Sequence, residues 1–216
     1  MMTELRRYTE PHFDRSALIT IDTQNDFTLA GAPASIAGTL EIIPNMARLL
    51  KAYRNSGLPI VHVIRLYNRD GSNADLCRRQ MIEDGAEIVA PDSFGSELVE
   101  ELKPESTSRL DAPRLLAGRF QAIGSKEHVM YKPRWGAFYN TDLEQFLNNQ
   151  DIDTVVFTGC NFPNCPRASI YEASERDFRI VLVEDAVSQL YQKEKQELCN
   201  IGVSVLNTAD AVEAIT

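Results

Sequence analysis

Three chemically capable residues of this 216-residue chain stand where apolar runs end. Asp22 closes ALITID at residues 17–22, and Lys132 closes VMYK at 129–132. Cys165 follows TVVFT (154–158) after the short loop GCNFPNC. A carboxylate can take a proton, a deprotonated thiol can attack a carbonyl carbon, and an ammonium can hold negative charge beside both. Pro166 comes directly after Cys165, and proline suits a first helical turn because no amide hydrogen is needed there. The thiol is therefore expected at a helix N-terminus, where the macrodipole and a nearby lysine favour thiolate. Residue types alone leave other roles open. A lone cysteine can be an inert packer, Asp22 a turn or cap residue, and Lys132 a solvated strand end. Cys160 reads as a packer at its strand end, and Cys77 and Cys199 as ordinary helix residues.

The elements that must position these groups follow from the alternation of apolar runs and amphipathic stretches. Strands are expected at 17–22, 60–65, 129–132, 154–158, 180–184 and 202–206. Helical patterns lie at 40–55, 142–149, 166–176 and 193–201. Continuous apolar strands alternating with helices indicate a parallel sheet covered on both faces. In such sheets ligands bind beyond the carboxyl ends of the strands. That edge also receives Gln24 and Phe27 from the first strand, and Arg65 and Tyr67 from the second. Arg134, Trp135 and Phe138 follow the third, and Asn161 and Phe162 the fourth. Arg65 or Arg134 could fork a carboxylate while the aromatics wall in a compact, flat body; surface salt bridges are the alternative for either arginine. Residues 68–127 break the pattern, being long, polar and weakly periodic, with helices expected near 73–84 and 96–101. They read as an insertion that acts as a lid, packs on another subunit, or is merely a surface excursion.

Bulk properties narrow the field. Hydrophobic residues make up 44% and charged residues 25%, which is ordinary for a globular protein. The length suits one compact α/β domain over 1–216. A net charge of −9 opposes phosphate backbones and anionic lipids, so neither nucleic acid nor membrane is an expected partner. No apolar run approaches the roughly 18 residues that span a bilayer. No secretory pattern opens the chain, which makes the cytoplasm the expected compartment. The four cysteines form no CxxC pair, and His12, His62 and His128 are scattered, so neither a metal nor another cofactor is expected.

IDTQNDF (residues 21–27), YKPRWGAF (131–138) and TGCNFPNC (158–165) together resemble the isochorismatase-like cysteine hydrolases, a superfamily of nicotinamidases, N-carbamoylsarcosine amidases and biuret- and ureidoacrylate-type amidohydrolases. The resemblance runs from about residue 17 to the C-terminus. It implies a three-layer α/β/α, Rossmann-like fold around a six-stranded, mostly parallel sheet. It implies an Asp-Lys-Cys triad, which maps onto Asp22, Lys132 and Cys165, and a cis peptide at Cys160–Asn161. The backbone amides of Asn161 and Cys165 would then hold an oxyanion. The implied activity is hydrolysis of a C–N bond (amide, carbamoyl or ureido) in a small molecule through a thioester, in a homo-oligomer, dimer or tetramer. Vinyl-ether hydrolysis of the isochorismatase type, which would leave the cysteine idle, is one alternative; a binding module that kept the fold is another. Two departures from the family pattern matter. Phe162 and Pro163 replace smaller and polar residues before the cysteine. RLYNRDGSNAD (65–75) also lacks the histidines that metal-dependent nicotinamidases carry after the second strand.

Overall fold

The structure, a computed structural model, describes residues 7–216. Its centre is a seven-stranded sheet: β1 (Ser16–Ile21), β2 (Ile60–Ile64), β3 (Gln121–Gly124), β4 (Glu127–Tyr131), β5 (Thr154–Gly159), β6 (Arg179–Val187) and β7 (Ser204–Leu206). The spatial order is β3-β4-β2-β1-β5-β6-β7. All neighbours pair in parallel except β3, which runs antiparallel on the edge of β4. The expected six strands are therefore present, and β3 is a seventh. It escaped the sequence reading because QAIG is only four residues long and half exposed, too short for an alternation to register.

The chain builds outward from β1 through β2 to β4, then returns to β5 on the other side of β1. The strand order thus reverses between β1 and β5. At such a switch point the crossovers diverge and leave a crevice beyond the strand ends. β1, β2 and β5 are buried along their whole length, so they are near-continuous apolar runs rather than alternating ones, with their few polar residues buried as well. One face of the sheet packs on α2 (Thr39–Ser56) and α8 (Thr208–Ile215) through Leu18, Val156, Val181, Ile43, Leu50 and Ala211. The other face packs on α5 (Leu143–Asn148), α6 (Cys165–Ser174) and α7 (Gln192–Asn200) through Ile19, Val155, Phe157, Leu147, Ile170 and Leu198. α2 stops at Gly57, whose left-handed φ of 63° lets its amide and that of Leu58 return to the carbonyls of Arg54 and Tyr53.

Residues 68–127 are not a detached excursion. They hold α3 (Leu76–Glu83), α4 (Ala112–Leu116), β3 and two single 3-10 turns, and they bury Ile88, Val89, Leu98, Leu102 and Leu115. The helix expected at 96–101 is instead two turns, Phe94–Ser96 and Glu100–Leu102, with extended chain between them. Tertiary pairing overrides propensity there. Leu98 bridges to Gln24, and Glu97 accepts the amide of Asn25. α1 (Asn25–Thr28), just after β1, is a further short helix. Among the described residues, no helix is long and apolar enough to cross a membrane.

Candidate active site

Asp22 is the first residue beyond β1, and its φ of 53° puts it in the left-handed region. Aspartate tolerates that region better than most residues, and non-glycine residues held there mark positions the surroundings over-determine. Here the amide of Asp22 is fixed to the carbonyl of Val63 on β2 at 2.9 Å. On the other side, Gly159 ends β5 with a φ of 110°, and a Cβ there would lie 2.2 Å from the carbonyl oxygen of Ile21. Only a residue without a side chain lets the ends of β1 and β5 come this close. Cys160 then donates its amide to Ile21 at 2.9 Å and its thiol to the carbonyl of Asp22 at 3.1 Å. The Cys160–Asn161 peptide is cis.

Lys132 arrives from β4, its amide bound to the carbonyl of Ile64 at 3.0 Å. It is fully buried, yet its Nζ sits 2.9 Å from Oδ2 of Asp22 and 3.2 Å from Sγ of Cys165. A third, longer contact reaches the carbonyl of Arg134 at 3.4 Å. An ammonium out of water needs such partners, because burying a lone charge costs several kcal/mol. Oδ1 of Asp22 is also buried and has no hydrogen-bond partner among the described residues. It is therefore the free acceptor of the cluster.

Cys165 opens α6, with Asn164 as the N-cap and Pro166 next in the first turn. Among the described residues, the backbone amides of Asn161 and Cys165 donate to no protein acceptor. The thiol itself is not biased toward thiolate as its helix position suggested. Burial, and then the negative charge of Asp22, push it up to about 12, outweighing the pull of Lys132.

The cleft above these groups is lined by Phe27, Ile36, Arg65, Tyr67, Asp75, Arg78, Trp135, Cys160, Asn161 and Asn164, together with Asp22 and Cys165. It is tight, with a cavity volume of about 20 Å³.

Several residues expected at this edge do different work. Gln24 is wholly buried, and its amide clamps the backbone of Arg65 (2.8 and 2.9 Å) and the carbonyl of Ser96 (2.6 Å), so it braces the cleft without facing it. Arg65 does line the cleft, but it is not free to fork a ligand. Its guanidinium donates to the carbonyl of Lys132 at 2.9 Å and to the hydroxyl of Tyr67 at 3.1 Å, and it is ion-paired with Asp75. Tyr67 in turn donates to Asp75 at 2.9 Å, and burial pushes its hydroxyl up so that it stays protonated. Arg134 does not enter the cleft, because it turns outward onto backbone carbonyls at Pro133 and Asn73. Phe138 and Phe162 are core residues. Phe138 packs on Phe178 and under Arg176, and Phe162 is fully enclosed with its amide on Ser188. Phe162 therefore sits in the core rather than on the wall of the cleft. Phe27, Tyr67, Trp135 and Asn161 lie where expected.

Ile36, Asp75, Arg78 and Asn164 went unassigned in the sequence reading. Asp75 and Arg78 are three apart across the start of α3, a spacing that puts both on one helical face, but nothing local shows that this face turns to the cleft. His62 lies in the core, bound to Thr20 and Glu127 at 2.8 Å each. Among the described residues, no three His, Cys, Asp or Glu side chains converge as a metal site requires.

The architecture is a doubly wound α/β sheet with a thiol, a lysine and a carboxylate at its switch-point crevice. The isochorismatase domain model matches residues 16–111 and 117–210, and the chain belongs to that family of hydrolases. It is 28% identical over 196 residues to an Arabidopsis thaliana protein named probable inactive nicotinamidase, covering 87% of this chain and 90% of that one. It is also 28% identical over 176 residues to an Arthrobacter N-carbamoylsarcosine amidase, covering 81% of this chain but only 60% of the amidase. A crystal structure of an isochorismatase family protein from Desulfovibrio vulgaris superposes with a TM-score of 0.79 at 28% identity, covering 93% of this chain and 98% of that one.

Proposed function

We propose that this protein hydrolyses a C–N bond of a small amide, carbamoyl or ureido compound, with Cys165 as nucleophile, Asp22 as general base and acid, and Lys132 as the charge that holds them together. The observation that carries this reading is the buried ammonium of Lys132 bridging Oδ2 of Asp22 at 2.9 Å and Sγ of Cys165 at 3.2 Å. A thiol pushed up to about 12 is a poor nucleophile unless a base removes its proton as it attacks. Asp22 is beside it with a free oxygen, and Lys132 steadies the thiolate that forms.

The sequence of steps follows from those positions. The thiol proton passes to Asp22 as Sγ bonds to the carbonyl carbon. The carbonyl oxygen gains the negative charge, and the amides of Asn161 and Cys165 are the donors free to hold it. Collapse of the tetrahedral adduct breaks the C–N bond, and Asp22 returns its proton to the departing nitrogen. A water molecule that yields its proton to Asp22 then attacks the thioester. The acid product leaves and the thiol is restored. The names of the amidase relatives agree with this class of bond. The name of the Arabidopsis relative keeps the non-catalytic alternative in view.

The test is ammonia release over a panel of small amides, N-carbamoyl and ureido compounds, with Cys165→Ala alongside. The expected result is turnover of at least one compound and a loss of about four orders of magnitude or more in kcat for the variant, with its fold retained. Turnover by Cys165→Ala at a large fraction of the wild-type rate overturns the nucleophile. A folded wild type that turns over nothing in the panel favours the binding module.

A further inference from the structure

We infer that Arg78 is the specificity-determining residue of the cleft and that the substrate carries a carboxylate on the side away from its scissile bond. The inference rests on Cys165 being the nucleophile.

The charges around the cleft are almost all paired. Lys132 is matched by Asp22, and Arg65 by Asp75. Burial, and then Asp22, disfavour a thiolate on Cys165. Arg78 lines the same cleft and, among the described residues, its side chain takes part in no ion pair and no hydrogen bond. Its guanidinium carbon instead hangs 5.8 Å from the centre of the Phe27 ring. The site thus holds three cations against two carboxylates, and the surplus charge sits on one half-buried guanidinium at its wall.

The neighbours of Arg78 hold it there. Asp75 is the N-cap of α3, but its side chain is turned away from the helix amides and bound to Arg65 and Tyr67. That buried cluster ties the start of α3 to the end of β2, and Arg78 follows one turn later on the same face. Its planar fork matches a carboxylate bidentately, and the Phe27 ring beside it shields the pairing from water on one side. A neutral ring or a simple amide would leave the guanidinium without a counter-charge.

The experiment uses two alkylating reagents of nearly the same size, iodoacetate and iodoacetamide, on the protein with Cys77→Ser and Cys199→Ser to remove the two exposed thiols. Labelling of Cys165 at pH 9 is followed by mass spectrometry in this background and with Arg78→Gln or Arg78→Lys added. Arg78→Gln is expected to lower the ratio of the iodoacetate rate to the iodoacetamide rate about tenfold, and Arg78→Lys to recover part of it. On substrates the loss should fall on KM for an N-carbamoyl amino acid far more than for its uncharged amide. A ratio that is the same with and without Arg78 overturns the inference while leaving the nucleophile standing. Turnover that survives Cys165→Ala overturns the nucleophile, and this inference with it.

Discussion

Replacing Lys132 with methionine separates the two jobs its ammonium performs. Methionine keeps the length and most of the volume of the side chain, so core packing changes little. What disappears is a charge 2.9 Å from Oδ2 of Asp22. At an effective dielectric of about 20, that pair attracts by about 6 kcal/mol. The carboxylate left behind is only 4% exposed and cannot recover that loss from water. Breaking one side of a buried pair costs about 3–5 kcal/mol, which in a chain of this size lowers Tm by roughly 6–20 °C. Adding Asp22→Asn removes the stranded charge, and the double variant should regain most of the lost Tm. Neither protein should turn over substrate, because the single variant has no cation to steady the thiolate and the double variant has no base. The assay is thermal unfolding of wild type, both single variants and the double, with ammonia release from each. A Lys132→Met protein as stable as wild type, or a double variant no better than the worse single, would refute the claim that the two charges compensate each other within the core.

Four further outcomes are expected. Glu127 is buried, which pushes its carboxyl up, but hydrogen bonds from Arg54 and His62 more than offset this and hold it at about 2 against an ordinary 4.5; its stabilisation of up to about 3 kcal/mol is present above pH 4.5 and lost as the pH falls toward 2, so Glu127→Gln should flatten the acid limb of a urea-midpoint profile over that window. Gly159→Ala should destabilise by more than about 3 kcal/mol or fail to express folded, because its Cβ would strike a backbone carbonyl; a urea midpoint equal to wild type would contradict the close approach of β1 and β5. Alkylation of Cys165 should climb about tenfold per pH unit from pH 7 to 10, as a thiol pushed up to about 12 requires; a plateau below pH 9 would mean the thiolate is already formed. Finally, exhaustive chelation should leave activity intact, because among the described residues no set of metal donors converges; loss restored by one equivalent of a transition metal would disprove this.

The sequence alone determined the class of fold and the three groups at its switch point. Near-continuous apolar runs at β1, β2 and β5 can only be buried on both sides, and residues directly after such runs must emerge at one edge of a parallel sheet. Asp22 and Lys132 were legible as strand-end groups for that reason, while Cys165, which lies past a loop after β5, and the grouping of the three as one triad were implied by the resemblance of their motifs to the family. Tertiary structure decided what no local pattern carries. β3 is four residues of edge strand whose partner, β4, supplies its reason to exist. The proton on Cys165 depends on burial and on Asp22, a carboxylate more than a hundred residues away in the chain, which together override the helix end. The arginines show the division best. Arg65 and Arg134 were the expected cations because they follow strands. Arg65 is consumed by Asp75, Arg134 faces outward, and the free guanidinium belongs to Arg78 on a helix within a polar stretch. Charge pairing is settled by which side chains meet across the fold, and chain order records only who is next to whom.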